Sequence, residues 1–413
     1  MLDDAMRRPS PTQPAAPAPP PFAVEVPLGP AVIPRLLPAL TRALEGGPAV
    51  LPLPHAPAAL RSALVGALQP QQALDQHGIA LVVPTSGSTG EPKGVLLSAA
   101  AVLASVSATT ERLGGPGRWL LALPATHVAG LMVLARSVLG GNTPVALDLT
   151  DGFDPEAFAV ASMRVFADSP ARRYTSLVPR QLAAILDDGE ASLDALTGYD
   201  AVLVGGSATH AELLERARAA GARIVTTYGL TETCGGCVYD GLPLDGVRVA
   251  VAPNGRIRLG GPVLASGYRL RPDLGADAFA DGWFATADAG RLEPDGRLTV
   301  LGRLDDVAVS GGVNVPLSAV DAAVSSHPEV REAVAVAVAD AEWGQRIVVT
   351  VVPVDATHPP TLESIRTHVA RRAPAAYAPK ELFVIDALPT LPGGKIDRRA
   401  VADRLRSQDG PAA

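Results

Sequence analysis

The sequence lacks several features that would assign it to common classes of protein. It has two cysteines in 413 residues, too few for a disulfide-stapled scaffold and typical of a reducing compartment. Aromatic residues make up 4% of the chain, which disfavours the stacking platforms that bind single-stranded nucleic acid. The formal net charge is −7, so the basic footprint of a nucleic-acid-binding protein is not expected.

Long hydrophobic runs are also missing. No stretch reaches the roughly 18 consecutive apolar residues of a membrane span. Arg7 and Arg8 precede a Pro/Ala-rich stretch that has no apolar core of the kind found in a signal peptide. We therefore predict no membrane span, no nucleic-acid partner and a cytoplasmic location.

The chain has the material for more than one sizeable core. Hydrophobic residues make up 47% of it, and its length predicts two or three folding units. We predict a disordered Pro/Ala-rich tail at 1–22, a large domain at 23–304 and a small α+β domain at 305–413.

The large domain shows short apolar strands that alternate with helical patterns from about residue 79 onward. This order predicts a largely parallel α/β sheet, in which the loops after the strands form the ligand site. After residue 247 the pattern changes to hairpins, with turns at Asn254-Gly255 and Asp295-Gly296.

A glycine- and hydroxyl-rich stretch, TSGSTGEPKG at 85–94, follows the first of these strands. Glycines let the backbone approach a ligand closely, while hydroxyl and N–H groups suit phosphate oxygens, and Lys93 adds a cation. The stretch is not a Walker A loop, because Pro92-Lys93 replaces the Gly-Lys-[Ser/Thr] order. It predicts a phosphate site of another kind.

This string resembles the phosphate loop of adenylate-forming enzymes, which include acyl-CoA synthetases, carrier-loading adenylation domains and luciferases. Further motifs of that superfamily follow in the same order. They are YGLTET at 228–233, GWFATAD at 282–288, GRLDD at 302–306, SGGVN at 310–314 and LPGGKI at 391–396. The resemblance implies an N-terminal adenylate-forming domain with parallel sheets and a β-rich subdomain, followed by a small mobile α+β domain.

The resemblance also implies ATP, Mg²⁺ and CoA as reactants of a two-step ligase. A carboxylate attacks the α-phosphate of ATP, and the acyl adenylate then passes its acyl group to CoA. Glu232 is implied as the Mg²⁺ ligand, Thr231 as a donor to the α-phosphate, and Lys93 as a phosphate-loop cation. Lys395 is implied as the mobile cation that stabilises the transition state.

The nucleotide site implied by the resemblance spans two stretches and three single residues. Tyr228 is expected to pack against adenine, Asp288 to accept the ribose hydroxyls, and Arg303 to support the ribose or phosphate. The full set is Thr85, Ser86, Gly87, Ser88, Thr89, Gly90, Gly205, Gly206, Ser207, Tyr228, Asp288 and Arg303.

The small domain carries the parts that the resemblance associates with movement. Asp305 lies at the predicted junction and is expected to be the hinge. Rotation there is expected to withdraw Lys395 and to present the loop containing Gly311 and Gly312 to CoA. The family analogy also allows a homodimer, which the sequence alone does not decide.

The acid that is activated should be recognised between the phosphate loop and YGLTET. LPATHVAGLMVLAR at 123–136 and the segment from 226 to 247 are similar to the o-succinylbenzoate–CoA ligases of menaquinone biosynthesis, particularly a short actinobacterial form. Their substrate has two carboxylates, and Arg136 is expected to bind the one that is not activated. His127 and Gly235 are expected to line the same pocket.

Three alternatives remain open at this point. The enzyme could activate another aryl or fatty acid, or it could load a carrier protein. The CGGC stretch at 234–237 could instead mark a nucleotide-binding or redox module without ligase activity. No second ligand pair follows CGGC at zinc spacing, so small side chains beside the acyl pocket are the favoured interpretation.

Overall fold

The computed structural model describes residues 17–55, 58–86, 92–167, 170–340, 342–390 and 396–408. The helices are α1 (Val32–Leu44), α2 (Ala58–Leu68), α3 (Ala99–Arg112), α4 (Val128–Leu139), α5 (Pro155–Phe166), α6 (Pro179–Asp188), α7 (Glu190–Thr197), α8 (Ala211–Ala219), α9 (Pro272–Ala278), α10 (Leu317–Ser325), α11 (Leu362–Ala370) and α12 (Arg398–Gln408). Within the described ranges, none of them combines the length and apolar character needed to cross a bilayer.

The strands are β1 (Phe22–Val26), β2 (Val50–Pro54), β3 (Ile79–Ser86), β4 (Pro92–Ser98), β5 (Gly117–Leu121), β6 (Val145–Ala146), β7 (Arg172–Leu177), β8 (Ala201–Gly205), β9 (Ile224–Leu230), β10 (Gly235–Tyr239), β11 (Leu242–Pro243), β12 (Arg248–Val251), β13 (Arg256–Gly260), β14 (Gly267–Tyr268), β15 (Phe279–Ala280), β16 (Trp283–Leu292), β17 (Leu298–Arg303), β18 (Val307–Ser310), β19 (Val313–Pro316), β20 (Val330–Asp340), β21 (Gly344–Pro353) and β22 (Glu381–Val384). Short 3₁₀ turns lie at Thr231–Thr233 and Ala375–Tyr377.

Two sheets build the large domain around a common core. The first has the order β1-β2-β3-β4-β14, with β1, β2 and β3 parallel and β3 and β4 joined as a hairpin. The second has the order β11-β10-β9-β8-β7-β5-β6, in which β9, β8, β7, β5 and β6 run parallel. The parallel α/β arrangement predicted from the alternation is therefore confirmed, and the carboxyl ends of β8 and β9 lie side by side.

Local sequence explains several helix boundaries. The side chains of Ser98, Asp154 and Thr361 accept hydrogen bonds from backbone N–H groups at the first turns of α3, α5 and α11. Such caps satisfy donors that have no partner within the helix. In α1 the buried positions follow a helical period, so one stripe packs into the core.

A third sheet forms the β-rich subdomain. Its order is β12-β13-β16-β15, with β17 added on β16. The Asn254-Gly255 turn joins β12 to β13, and the Asp295-Gly296 turn joins β16 to β17, as the hairpin patterns predicted. This sheet brings Asp288 and Arg303 opposite each other on β16 and β17.

The C-terminal unit has a core of its own. Its sheet has the order β19-β18-β21-β20, with β22 added parallel to β21. α10 and α11 contribute apolar side chains such as Val320, Ile365 and Val369 to that core. The helices and strands predicted for this unit are present close to their predicted positions.

The predicted disordered tail differs from the structure near its end. Ala18 is buried and forms an isolated bridge with Leu74, and Phe22 begins β1. Backbone pairing with later parts of the chain, which composition does not reveal, orders these residues. Residues 1–16 lie outside the described part of the chain.

Candidate active site

The two ends of the phosphate-loop stretch lie on the paired strands of a hairpin. β3 and β4 pair as far as Ser86 opposite Pro92, and Thr85 lies opposite Lys93. The Thr85 hydroxyl donates to the Lys93 carbonyl at 3.4 Å, so Lys93 lies on a strand rather than in a loose loop. Four of the predicted phosphate contacts lie outside the described residues, and their roles stay predictions; they are Gly87, Ser88, Thr89 and Gly90.

Lys93 meets Glu232 and Tyr268 at one end of this hairpin. Lys93 Nζ lies 3.6 Å from Glu232 Oε1 and 4.3 Å from the centre of the Tyr268 ring. The Tyr268 hydroxyl donates to the same Glu232 oxygen at 2.8 Å. Burial, and then the Glu232 charge, raise the pKa of Tyr268, so this phenol stays protonated as a donor.

Glu232 has the surroundings that a Mg²⁺ ligand needs. Its carboxylate is buried at 6% exposure, and both the hydrogen bond from Tyr268 and the contact with Lys93 are to Oε1. Among the described residues no group of three or more His, Cys, Asp or Glu side chains could hold a metal ion. A single carboxylate suits Mg²⁺ that also binds phosphate oxygens of a nucleotide.

A tight turn places Thr231 and Glu232 at the end of β9. The Thr233 hydroxyl accepts from the Leu230 N–H at 2.9 Å and contacts the Gly235 carbonyl at 2.8 Å. Cys234 then adopts a left-handed conformation with φ of 53°. The chain therefore reverses directly into β10, and the turn that contains Thr231 and Glu232 packs against β4.

The predicted adenine and ribose residues also meet at this edge. Gly205 pairs with Thr227, and a Cβ at Gly205 would lie only 2.2 Å from the Thr227 hydroxyl, so the position requires glycine. Gly206 and Ser207 are exposed at the open end of β8. Tyr228 follows Thr227 on β9, and its hydroxyl donates a hydrogen bond to the Asp288 carboxylate at 2.8 Å. Burial, and then Asp288, raise the pKa of Tyr228, which keeps this hydroxyl a donor.

Arg303 lies opposite Asp288 but reaches toward the domain junction. Its Nε and Nη2 donate to the two carboxylate oxygens of Asp305 at 2.7 and 2.6 Å. This fork raises the pKa of Arg303 and lowers the pKa of Asp305. The predicted hinge residue is thus tied to the predicted ribose site, and the contact of Arg303 with a nucleotide stays a prediction.

The C-terminal unit carries the remaining predicted residues. Gly311 and Gly312 form the two-residue turn between β18 and β19, with φ values of 57° and 77° that favour glycine. Both are exposed. Lys395 lies outside the described residues, although Thr390 and Ile396 on either side of its loop form a bridge.

The predicted acyl residues lie around α4. A Cβ on Gly235 would approach Val128 and Met132, which occupy successive turns of one face of this helix. Arg136 is the next residue along the same face. His127 lies at the start of α4 and is exposed. The structure therefore brings Gly235 and the α4 face together, with His127 at one end and Arg136 at the other.

Arg136 is a buried cation without a carboxylate partner in the described part of the chain. It is 6% exposed, its Nη2 lies 3.5 Å from the Tyr239 hydroxyl, and its guanidinium lies 5.2 Å from the Trp119 ring centre. No hydrogen-bond partner of its Nε is found among the described residues. An uncompensated buried charge is costly, so a guanidinium in this setting favours an anionic ligand.

Cys234 and Cys237 are fully buried thiols. Burial raises the pKa of both, that of Cys237 to about 12. Protonated, buried thiols are poor nucleophiles and poor metal ligands. Their surroundings favour the packing role over the redox alternative.

Tyr268 and the neighbouring Arg269 are the site residues that sequence reasoning missed. β14 has only two residues, too few for a periodic pattern, and its partner β4 lies about 170 positions earlier. The one available signal is Gly267-Tyr268, a glycine and an aromatic residue within an otherwise irregular segment.

Comparison with known proteins assigns the family. Residues 34–268 match the family described as "AMP-binding enzyme", and residues 319–395 match its C-terminal domain. The chain belongs to the AMP-binding enzyme family. The predicted fold class, with an adenylate-forming domain and a small C-terminal domain, is thereby confirmed.

Two named relatives of this AMP-binding enzyme share one activity in their names. The chain is 48% identical over 390 residues to a probable 2-succinylbenzoate–CoA ligase of Mycobacterium tuberculosis H37Rv, covering 94% of this chain and 99% of that protein. It is 32% identical to the 2-succinylbenzoate–CoA ligase of Geobacillus kaustophilus, covering 80% and 70%.

Two solved structures share the fold of this chain. The o-succinylbenzoate CoA synthetase of Bacillus subtilis, in complex with the acyl-adenylate intermediate OSB-AMP, is 26% identical with a TM-score of 0.68. That match covers 88% of this chain and 75% of the other. ATP-bound MatB from Rhodopseudomonas palustris has a TM-score of 0.76 at 19% identity, a likeness of fold alone.

Proposed function

We propose that this AMP-binding enzyme is an ATP-dependent o-succinylbenzoate–CoA ligase of menaquinone biosynthesis. In the first half-reaction a carboxylate oxygen of the acid attacks the α-phosphorus of ATP, and pyrophosphate leaves. In the second, the sulfur of CoA attacks the acyl carbon, the thiol proton is lost and AMP leaves. The long match to the Mycobacterium tuberculosis relative and the buried Arg136 support this substrate.

The observation that most directly supports this substrate is the position of Arg136. It lies beyond Val128 and Met132 on the face of α4 that meets Gly235, and the described residues offer it no carboxylate. An acid with a second carboxylate would supply the missing anion when its first carboxylate faces the nucleotide. A monocarboxylate would leave the guanidinium buried and unpaired.

The remaining residues have roles that follow from their positions. Lys93 would neutralise phosphate charge and Thr231 would donate to the α-phosphate, while Tyr228, Asp288 and the Gly205–Ser207 stretch would hold the nucleoside. Glu232 would hold Mg²⁺, which supplies charge neutralisation at the phosphates. Lys395 would act in adenylation, and Gly311 and Gly312 would face CoA after rotation at Asp305. CoA as acceptor, a cytoplasmic location and a homodimer remain predictions.

An end-point assay by mass spectrometry tests the proposal. The purified protein is incubated with ATP, Mg²⁺ and CoA, together with o-succinylbenzoate, benzoate or a medium-chain fatty acid. We expect a CoA thioester of o-succinylbenzoate, with AMP and pyrophosphate released.

Other outcomes would contradict it in recognisable ways. A thioester with benzoate or the fatty acid instead would reassign the substrate. Acyl transfer only to an added carrier protein would favour a carrier-loading enzyme. Release of ADP, or AMP binding without pyrophosphate exchange, would remove the ligase mechanism itself.

A further inference from the structure

Tyr268 lies on β14, which pairs with β4. It is placed between the β3–β4 hairpin that carries Lys93 and the turn that carries Glu232. It pairs with Val95 through β14 and β4, two residues along from Lys93. The backbone before it is tied to the other side of the site, because the Ala265 N–H donates to the Glu232 carbonyl at 2.8 Å. Its side chain is 7% exposed.

The two ends of this side chain contact different charged groups. The hydroxyl donates to Glu232 Oε1, while the ring face supports the ammonium group of Lys93. The hydrogen bond fixes one carboxylate oxygen. The ring face attracts the Lys93 ammonium group, so Lys93 is held by the ring as well as by the Glu232 carboxylate.

The backbone beneath Tyr268 is anchored by Arg269. This side chain is 3% exposed, and its guanidinium donates to the carbonyls of Gln69 and Gln72 at 2.7 and 2.6 Å, beyond the end of α2. The Arg269 N–H also donates to the Gly94 carbonyl at 2.8 Å. Since Arg269 is adjacent to Tyr268 and Gly94 to Lys93, the phenol has little freedom to move relative to the hairpin.

We propose that Tyr268 is a positioning residue that holds the magnesium-binding carboxylate of Glu232 and the phosphate-loop cation of Lys93 in a fixed relation before nucleotide arrives. The hydroxyl fixes which oxygen of Glu232 faces the metal. The ring keeps Lys93 beside the site without neutralising that oxygen. This inference rests on the proposed ATP and Mg²⁺ roles of the two charged residues.

Two substitutions separate the two contacts. Tyr268→Phe keeps the ring under Lys93 and removes the hydroxyl, whereas Tyr268→Leu removes both. Tyr377→Phe, which removes a phenol hydroxyl in the C-terminal unit, is the matched control. Calorimetric titration with ATP, once with Mg²⁺ and once with EDTA, gives the affinity gained through the metal, and thermal unfolding reports on the fold.

We expect Tyr268→Phe to bind metal-free ATP with an affinity within about twofold of the wild type. The increase in ATP affinity that Mg²⁺ causes should be about tenfold smaller in this variant than in the wild type. Tyr268→Leu should also weaken metal-free binding, because Lys93 loses its support. Tyr377→Phe should match the wild type in both titrations.

An unchanged Mg²⁺ gain in Tyr268→Phe would overturn the inference. So would an equal loss of affinity with and without metal that accompanies a lower melting temperature, because that pattern reports a purely structural role. A wild-type protein that gains no ATP affinity from Mg²⁺ would instead contradict the proposed function on which the inference rests. The wild-type titration therefore distinguishes the two failures.

Discussion

The two halves of the candidate site are held in different ways. In the large domain, Glu232 and Tyr268 are 6% and 7% exposed and share a hydrogen bond. In the C-terminal unit and its junction, Gly311 and Gly312 are exposed, and the Arg303–Asp305 pair has side chains that are 45% and 49% exposed. One half is fixed by burial, and the other is attached through contacts that water can replace.

This difference suits the two proposed half-reactions. Buried dipoles and charges that need no reorganisation stabilise a transition state best, which favours a rigid nucleotide site. Exposed ion pairs contribute little net free energy, so exchanging them costs little when a domain rotates. The contact between Arg180 of α6 and Glu332 of β20, at 3.1 Å, belongs to this exchangeable kind.

The largest effect is expected from removing the mobile cation. Lys395→Ala should lower the rate of adenylation about a thousandfold, because charge at the α-phosphate is no longer neutralised. The same variant should convert supplied acyl adenylate to thioester at nearly the wild-type rate. Pyrophosphate exchange measures adenylation, and thioester formation from synthetic acyl adenylate measures the second step. Equal losses in both would contradict the proposal that Lys395 acts in adenylation alone.

A smaller effect is expected inside the C-terminal unit. Arg398 pairs with Asp321 and Asp306 and donates to the Ala335 carbonyl at 2.7 Å. Arg398→Met leaves the largely buried Asp321 without its cation and should lower the free energy of unfolding by about 2 kcal/mol. Urea unfolding measures the change.

The neighbouring Arg399 is exposed and provides the matched control for that experiment. Arg399→Met should change the free energy of unfolding by less than about 0.5 kcal/mol. If both variants were equally stable, the C-terminal unit would not be held together internally by the Arg398 cluster.

The smallest effect is expected at the contact between the two units. Glu332→Gln removes the ion pair with Arg180, whose side chain is 54% exposed. The free energy of unfolding should fall by less than about 1 kcal/mol, and by less still at high salt. A larger loss in urea unfolding would mean that the two units are rigidly attached to each other.

Much of this arrangement could be predicted from sequence because it rests on local signals. The hairpin turns at Asn254-Gly255 and Asp295-Gly296 and the strand before the phosphate loop have patterns of adjacent residues. The family motifs located Glu232 and Asp288 in the same way. The position of Glu232 directly after β9 was enough to predict a site at the end of that parallel strand, whereas Asp288 lies on β16 of the antiparallel third sheet.

The features that escaped prediction depend on distant partners. Tyr268 joins the site through a two-residue strand, and Ala18 is ordered by pairing with Leu74. The sequence suggested Arg136 as an anion ligand, but its burial without a carboxylate partner depends on how α4 packs against β10. Such properties belong to tertiary packing, which a local pattern does not encode.

The central claim is that Arg136 selects an acid with a second carboxylate. The direct test compares KM for o-succinylbenzoate with KM for 4-oxo-4-phenylbutanoate, which has the same skeleton without the ring carboxylate, in the wild type and in Arg136→Met. We predict that the substitution raises KM for o-succinylbenzoate about a hundredfold and changes KM for the monocarboxylate by less than about threefold. Equal changes for the two acids would contradict the claim and remove Arg136 from substrate recognition.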